Sequence, residues 1–187
     1  MSIYIALLRG INVGGKNKIP MPELKSAFEE SGFVNVKTYI NSGNVIFSSS
    51  ISNEERLKRE CEFLIADKFK FDISVAVISR NSLSDALHNA PVWWDNDSRS
   101  KHNALFVIPP VTAETIINQI GTFNPEYEQV GFYGQIIFWS APLKTFSRTR
   151  LTKIVSKPVF LNVTIRNANT TKKLLQLVEN QCTVPEK

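Results

Sequence analysis

Ten residues hold the types and spacing best suited to gripping an anion. Arg9 to Lys18 read RGINVGGKNK, with three of the chain's eight glycines and three basic residues, and no acid precedes Glu23. Glycine has no Cβ, so its amide can approach a ligand closely. Successive N–H groups in such a turn form a concavity that suits an oxyanion. The run from Gly10 to Asn17 nearly spells the phosphate loop G-x-x-x-x-G-K-[ST]. ATP hydrolysis is excluded. Asn17 lacks the hydroxyl that would ligate magnesium, Pro20 and Pro22 keep a helix from starting at Lys16, and no apolar strand ends in a metal-holding aspartate. The oxyanion nest survives this test. So does the plainer alternative, in which the glycines serve turn geometry and the lysines are solvated.

The elements that must position this loop follow from periodicity. Residues 3–8 are apolar on both alternating sets, which predicts a strand covered on both faces. Pro22 suits a first helical turn, Leu24, Ala27 and Phe28 recur at helical spacing, and Gly32 ends that helix. A strand over 34–41 sets Val34, Val36, Thr38 and Ile40 on one side. A Ser42-Gly43 turn and a strand over 45–48 follow. A helix from Asn53 places Leu57, Cys61, Leu64 and Ile65 on one stripe, and a strand covers 73–78. The order is strand, helix, strand, strand, helix, strand, the split βαβ or ferredoxin-like plan. After a short helix at 82–89 and a polar linker at 93–101, the pattern repeats. Strands fall at 102–108, 129–133, 135–140 and 161–166. Helices fall at 112–120 and 149–155, and a final one at about 169–179. The expected fold is α+β: two ferredoxin-like units with antiparallel sheets, 1–80 and 102–187, joined by 81–101 and ending in a C-terminal helix. In such a unit the end of strand one and the turn between strands two and three share a sheet edge. Arg9, Asn12, Gly14, Gly15, Lys16 and Lys18 should therefore neighbour Asn41, Ser42 and Asn44, forming a donor-rich rim free of carboxylates.

The net charge of +5 is unevenly spread. From Lys144 to Lys173 there are eight basic residues and no acid. Within it, Arg148, Arg150, Lys153, Arg166, Asn167, Asn169 and Lys172 form a second candidate anion patch, which would extend or face the rim. A solvated basic face is the plainer reading. Asn167, Asn169 and Thr170 are candidate caps of the last helix. Lys172 and Lys173 in its opening turns oppose the helix dipole, a cost that an anion would relieve. Ser147, among bases and without a general base, reads as a cap candidate.

Other constellations are sparse. His88 and His102 are not at metal-ligand spacing, and no metal or cofactor is expected. Asp95 and Asp97 read as part of a Trp-anchored turn before they read as a cation site. Tyr4, Ala6 and Leu8, grouped with Ile46, Ala76 and Ile78, lack a second stacking aromatic for sheet-surface RNA binding, and that apolar face is expected to pack on the other half of the chain. Cys61 and Cys182 are far apart in a chain with a full-sized core, which points to a reduced, cytoplasmic protein. Apolar runs are far short of a membrane span, and no signal peptide is expected.

Two segments carry a family likeness. Residues 6–47, ALLRGINVGGKNKIPMPELKSAFEESGF…VKTYINSGNVIF, resemble the opening signature of the bacterial family called domain of unknown function 1697. Residues 164–177, TIRNANTTKKLLQL, are similar to its closing signature, and the SRTRLTK run at 147–153 fits the pattern. Ala168 departs from it, standing where the pattern leads one to expect an aromatic. The resemblance implies two ferredoxin-like units and no particular activity. The leading functional expectation is binding of a phosphate-bearing ligand, a nucleotide or nucleic acid, at the glycine loop and the 41–44 turn. An enzyme acting on a small anionic metabolite and a non-catalytic protein-interaction scaffold are the alternatives.

Overall fold

The structure is a computed structural model that describes residues 1–152 and 158–181 in full and the backbone alone at 153–154 and 182–183. The strands of the first unit are β1 (Ser2–Leu8), β2 (Val34–Tyr39), β3 (Asn44–Ser49) and β4 (Val75–Ser79), and its helices are α1 (Met21–Glu30) and α2 (Glu54–Phe69). Helix α3 (Arg80–His88) follows. The second set is β5 (Ser100–Val107), α4 (Ala113–Ile120), β6 (Gln129–Tyr133), β7 (Ile136–Pro142), α5 (Arg150–Ile154), β8 (Val163–Asn167) and α6 (Ala168–Glu179). The sheets run β2-β3-β1-β4 and β6-β7-β5-β8, and every adjacent pair is antiparallel. This is the ferredoxin-like order twice over. The chain divides into two compact units, Met1–Leu83 with Lys173–Lys187, and Ser84–Lys172. None of the described helices is long and apolar enough to cross a membrane.

In the first unit, Leu24, Ala27 and Phe28 of α1 and Leu57, Cys61, Leu64 and Ile65 of α2 bury against Tyr4, Ala6, Leu8, Val45, Phe47 and Val75. Here the register corrects the sequence expectation. Tyr4 stands opposite Phe47, with ring centroids 5.9 Å apart, and Ala6 stands opposite Val45. Residues opposite each other in an antiparallel pair share a face. Tyr4, Ala6 and Leu8 therefore lie under the two helices, while Ile46, Ala76 and Ile78 fall on the other face with Ile5 and Leu7. That face is buried too. Tyr4 is thus a core residue, and no base can stack on it.

The second strand also departs from simple alternation. The register shifts between Val34 and Lys37, and Asn35 has φ 55°. This bulge turns Val34 outward and buries Phe33 and Val36 together. Val34 and Ile40 are exposed, so the four residues expected on one side do not share it.

In the second unit, Ala113, Ile116 and Ile120 of α4 pack with Leu151 and Phe160 over Leu105, Val107, Ile137, Trp139 and Val163. Glu128 is buried at the edge of this core. Its carboxylate accepts from Trp139 Nε1 (2.8 Å) and from the backbone N–H of Arg150 (2.6 Å), where α5 begins.

Two outcomes follow from this packing. Burial in an apolar stripe between Glu60 and Glu62 pushes the Cys61 thiol well above its ordinary value. A thiol reagent should label Cys61 in the native protein only as fast as the protein opens, and at once in denaturant. Gly43 has φ +76°, and a Cβ there would stand 2.8 Å from both Leu8 Cβ and Ile11 Cδ1. Gly43→Ala should lower stability by about 2–4 kcal/mol, combining overpacking with left-handed strain, read as a lower urea midpoint.

Candidate functional site

The glycine loop folds as a small hairpin. Asn12 N–H donates to Asn17 O (3.2 Å), and Lys16 N–H donates to Val13 O (3.1 Å). Gly14 and Gly15 at its tip have φ 59° and 77°. Two central residues with positive φ make the I′-type turn that matches strand twist, which is why the sequence places two glycines there. Ile11 and Ile19 are buried and root the hairpin in the core.

Asn12 ties the parts together. Its Oδ1 accepts from Ile19 N–H, and its Nδ2 donates to Ile19 O and to Asn41 O, each at 2.9 Å. Leu8 N–H donates to Gly43 O (2.8 Å), and Leu7 pairs with Asn44. The loop and the 41–44 turn therefore meet at one sheet edge, as strand order requires. Asn44 is fully buried, and its Nδ2 donates to Tyr39 O (2.9 Å) and Ser42 Oγ (3.1 Å). So Asn12 and Asn44 build the edge and have no amide left for a ligand. Gly14, Gly15, Lys16, Lys18 and Asn41 are exposed, and Arg9 and Ser42 are half-buried. Lys16 and Lys18 form no ion pair among the described residues, and the Gly14 and Gly15 amides have no internal acceptor there.

The second candidate patch is redistributed by folding. Asn167 caps α6, with its Oδ1 accepting from Thr170 N–H (2.7 Å). Lys172 pairs with Asp95, so the anion that offsets its position in the helix comes from the chain itself. Arg166 is only 6% exposed, and its Nη1 donates to Thr164 Oγ1 (2.9 Å) and Ile165 O (2.8 Å). Burial pulls its guanidinium down to about 10. Asn169, Arg148 and Arg150 are exposed. The Lys153 side chain and Lys157 lie outside the described residues. Ser147 is exposed in a 3-10 turn, Phe146–Arg148, and Thr149 takes the capping role at α5, its Oγ1 accepting from Thr152 N–H (3.4 Å).

A cleft of about 850 Å³ opens beside this patch, lined among others by Asp95, Asp97, Lys101, His102, Phe146 and Asn169. His102 holds its wall. A backbone N–H can only donate, so Nδ1 accepts from Asp95 N–H (3.0 Å), and the ring proton sits on Nε2, which donates to Asp97 O (2.7 Å). Trp94 anchors the same turn, donating from Nε1 to Asn103 O (2.9 Å). Sequence reasoning placed the Trp anchor here but missed the Asp95–Lys172 pair and the role of Glu128, because both depend on residues far apart in the chain. Among the described residues, no group of three or more His, Cys, Asp or Glu could hold a metal.

Asn12→Ala removes three bonds and leaves the Ile19 amide without its acceptor. It should lower stability by about 1–3 kcal/mol and speed hydrogen exchange at Ile19 while leaving α4 amides protected.

The comparisons agree with this architecture. The family model described as "Protein of unknown function (DUF1697)" matches residues 1–138. The solved structure of a conserved bacterial protein from Streptococcus pneumoniae is 33% identical, covers 95% of this chain and 98% of its own, and superposes with a TM-score of 0.84. No curated protein matches the chain. With the family model spanning well over half the sequence, the chain belongs to the DUF1697 family.

Proposed function

We propose that the protein binds a phosphate-bearing ligand, a nucleotide or nucleic acid, at the rim formed by the glycine hairpin and the 41–44 turn. One observation carries this reading. The loop presents exposed Lys16 and Lys18, and at its tip exposed Gly14 and Gly15 whose amides have no internal acceptor among the described residues, with no carboxylate in the segment. Several acids of the flanking helices are engaged internally, while Glu23 and Asp72 near the loop are exposed. On α1 and α2, Glu29, Glu55, Glu60 and Glu62 each pair with a basic residue one helical turn away, and Glu30 pairs with Lys68. Such pairs contribute little stability, about 0.3–0.5 kcal/mol each, and they offset only part of the acidic charge on the two helices. The loop segment itself carries Arg9, Lys16 and Lys18 with no acid among them.

Val13, Gly14, Gly15 and Lys16 are all exposed. A projecting tip meets a phosphate on the outside of its ligand and does not enclose a metabolite, so a phosphate on an extended backbone fits better than a buried small substrate. The free, buried Cys61 thiol is compatible with a reducing compartment, and we place the protein in the cytoplasm.

Binding should weaken linearly with log salt, because each neutralised phosphate releases counterions. Lys16→Ala should lower affinity and flatten the slope by about 0.7–0.9, the value of one phosphate contact. A salt titration by filter binding, with a thermal-shift screen of mononucleotides alongside, checks this. An unchanged slope in Lys16→Ala would remove the rim from the interface.

A further inference from the structure

The second unit gathers cations and aromatic rings on one stretch of surface. Lys101 Nζ lies 3.8 Å from the centroid of the Phe146 ring, and the Arg148 guanidinium lies 5.7 Å from that of Tyr127. Phe146 and Arg148 are the two ends of a single 3-10 turn, so these couples are neighbours. Phe146 and Lys101 line the cleft of about 850 Å³. A second groove of about 580 Å³ is lined by Arg99 and Lys144, and the two depressions share Asp97, Ser98 and Ser100. Four cations are thus exposed around two half-exposed rings.

The acids of this region do not cancel that charge. Asp95 is held by Lys172. Glu128 is buried and spent on Trp139 and the start of α5. Asp97 and Glu126 remain exposed against Arg99, Lys101, Lys144, Arg148 and Arg150. The basic run of the sequence therefore survives folding in altered form. It loses Arg166 to burial, Asn167 to capping and Lys172 to Asp95, and Arg99, Lys101 and Tyr127 join it from elsewhere in the chain.

We propose that this surface binds single-stranded nucleic acid, with bases stacking on Phe146 and Tyr127 and phosphates held by Lys101, Lys144 and Arg148. Every base has a π-face, and only an unpaired strand can offer it to a side chain, so interleaved rings and cations select single strands without selecting sequence. Lys101 now covers the Phe146 ring. A base stacked on that ring is worth more than an exposed lysine over it, so the flexible lysine is free to swing to a phosphate. The site uses none of the glycine-loop residues and stands or falls separately from that reading.

The test is fluorescence anisotropy with the full chain, using a labelled oligothymidylate strand and a duplex of matching length at low salt. The single strand should bind more tightly than the duplex. Phe146→Leu keeps apolar bulk against Trp139 but removes the ring, and Arg148→Ala removes a cation. Each should weaken single-strand binding on the order of tenfold while the protein stays folded at the assay temperature. Lys16→Ala should preserve the preference for the single strand. If Phe146→Leu does not fold, Tyr127→Ala carries the same test, with the same expected loss. No binding at low salt, equal affinity for the duplex, or full single-strand affinity in the ring and Arg148 variants would overturn the proposal. Loss of binding in Lys16→Ala with full affinity in Phe146→Leu would uphold the glycine-loop site and overturn this one.

Discussion

The contact of Gly43 with Leu8 and Ile11 sets the geometry of the end of the first sheet where the glycine loop and the 41–44 turn meet. No side chain fits between that backbone and those two residues, and the turn can pack so tightly only because position 43 has no Cβ. The close approach lets Leu8 N–H reach Gly43 O and Asn12 reach Asn41 O. With those bonds in place, the glycine hairpin is fixed to the end of the sheet and does not wave above it. A loop with two glycines at its tip has high conformational entropy when unfolded, and buried Ile11, Ile19 and the Asn12 amide offset that cost.

Polar groups in this protein divide into those that build and those that face outward. Asn12, Asn44, Asn167, His102 and Glu128 satisfy backbone groups that burial would otherwise strand. Lys16, Lys18, Lys101, Lys144 and Arg148 are exposed. A mixed string of asparagines, lysines and threonines in the sequence is thereby sorted by folding into struts and contacts. The sorting explains why a basic chain of ordinary composition presents its positive charge in particular places. It also narrows the family likeness, because the RNAN stretch of the closing signature supplies a helix cap and a buried arginine in this chain.

Much of the fold was legible in the chain itself. Helix α2 carries its stripe at Leu57, Cys61, Leu64 and Ile65, and those four residues are the ones it buries. Asn53 and Thr112 cap their helices as their residue types suggest, through bonds to Arg56 N–H and Thr115 N–H. Strand order, and with it the meeting of loop and turn, followed from the succession of elements. These features are local, or depend on topology rules with few exceptions, so one-dimensional periodicity reports them well.

What the sequence could not settle was parity, bulges and partners. A shift of one residue in register moves a whole strand to the other face, and nothing local fixes whether Tyr4 meets Ile46 or Phe47. The bulge at Asn35 cost alternation its meaning in β2 for the same reason. The basic run from 144 to 173 read as a single patch because charge along a chain says nothing of what folds against it. Only three-dimensional packing brought Asp95 to Lys172, buried Arg166 and drew Phe146 beneath Lys101. The sequence by itself determined which segments become helix and strand and where glycine is required. The tertiary structure decided which polar side chains remain available to a ligand, because that depends on neighbours that are distant in sequence and close in space.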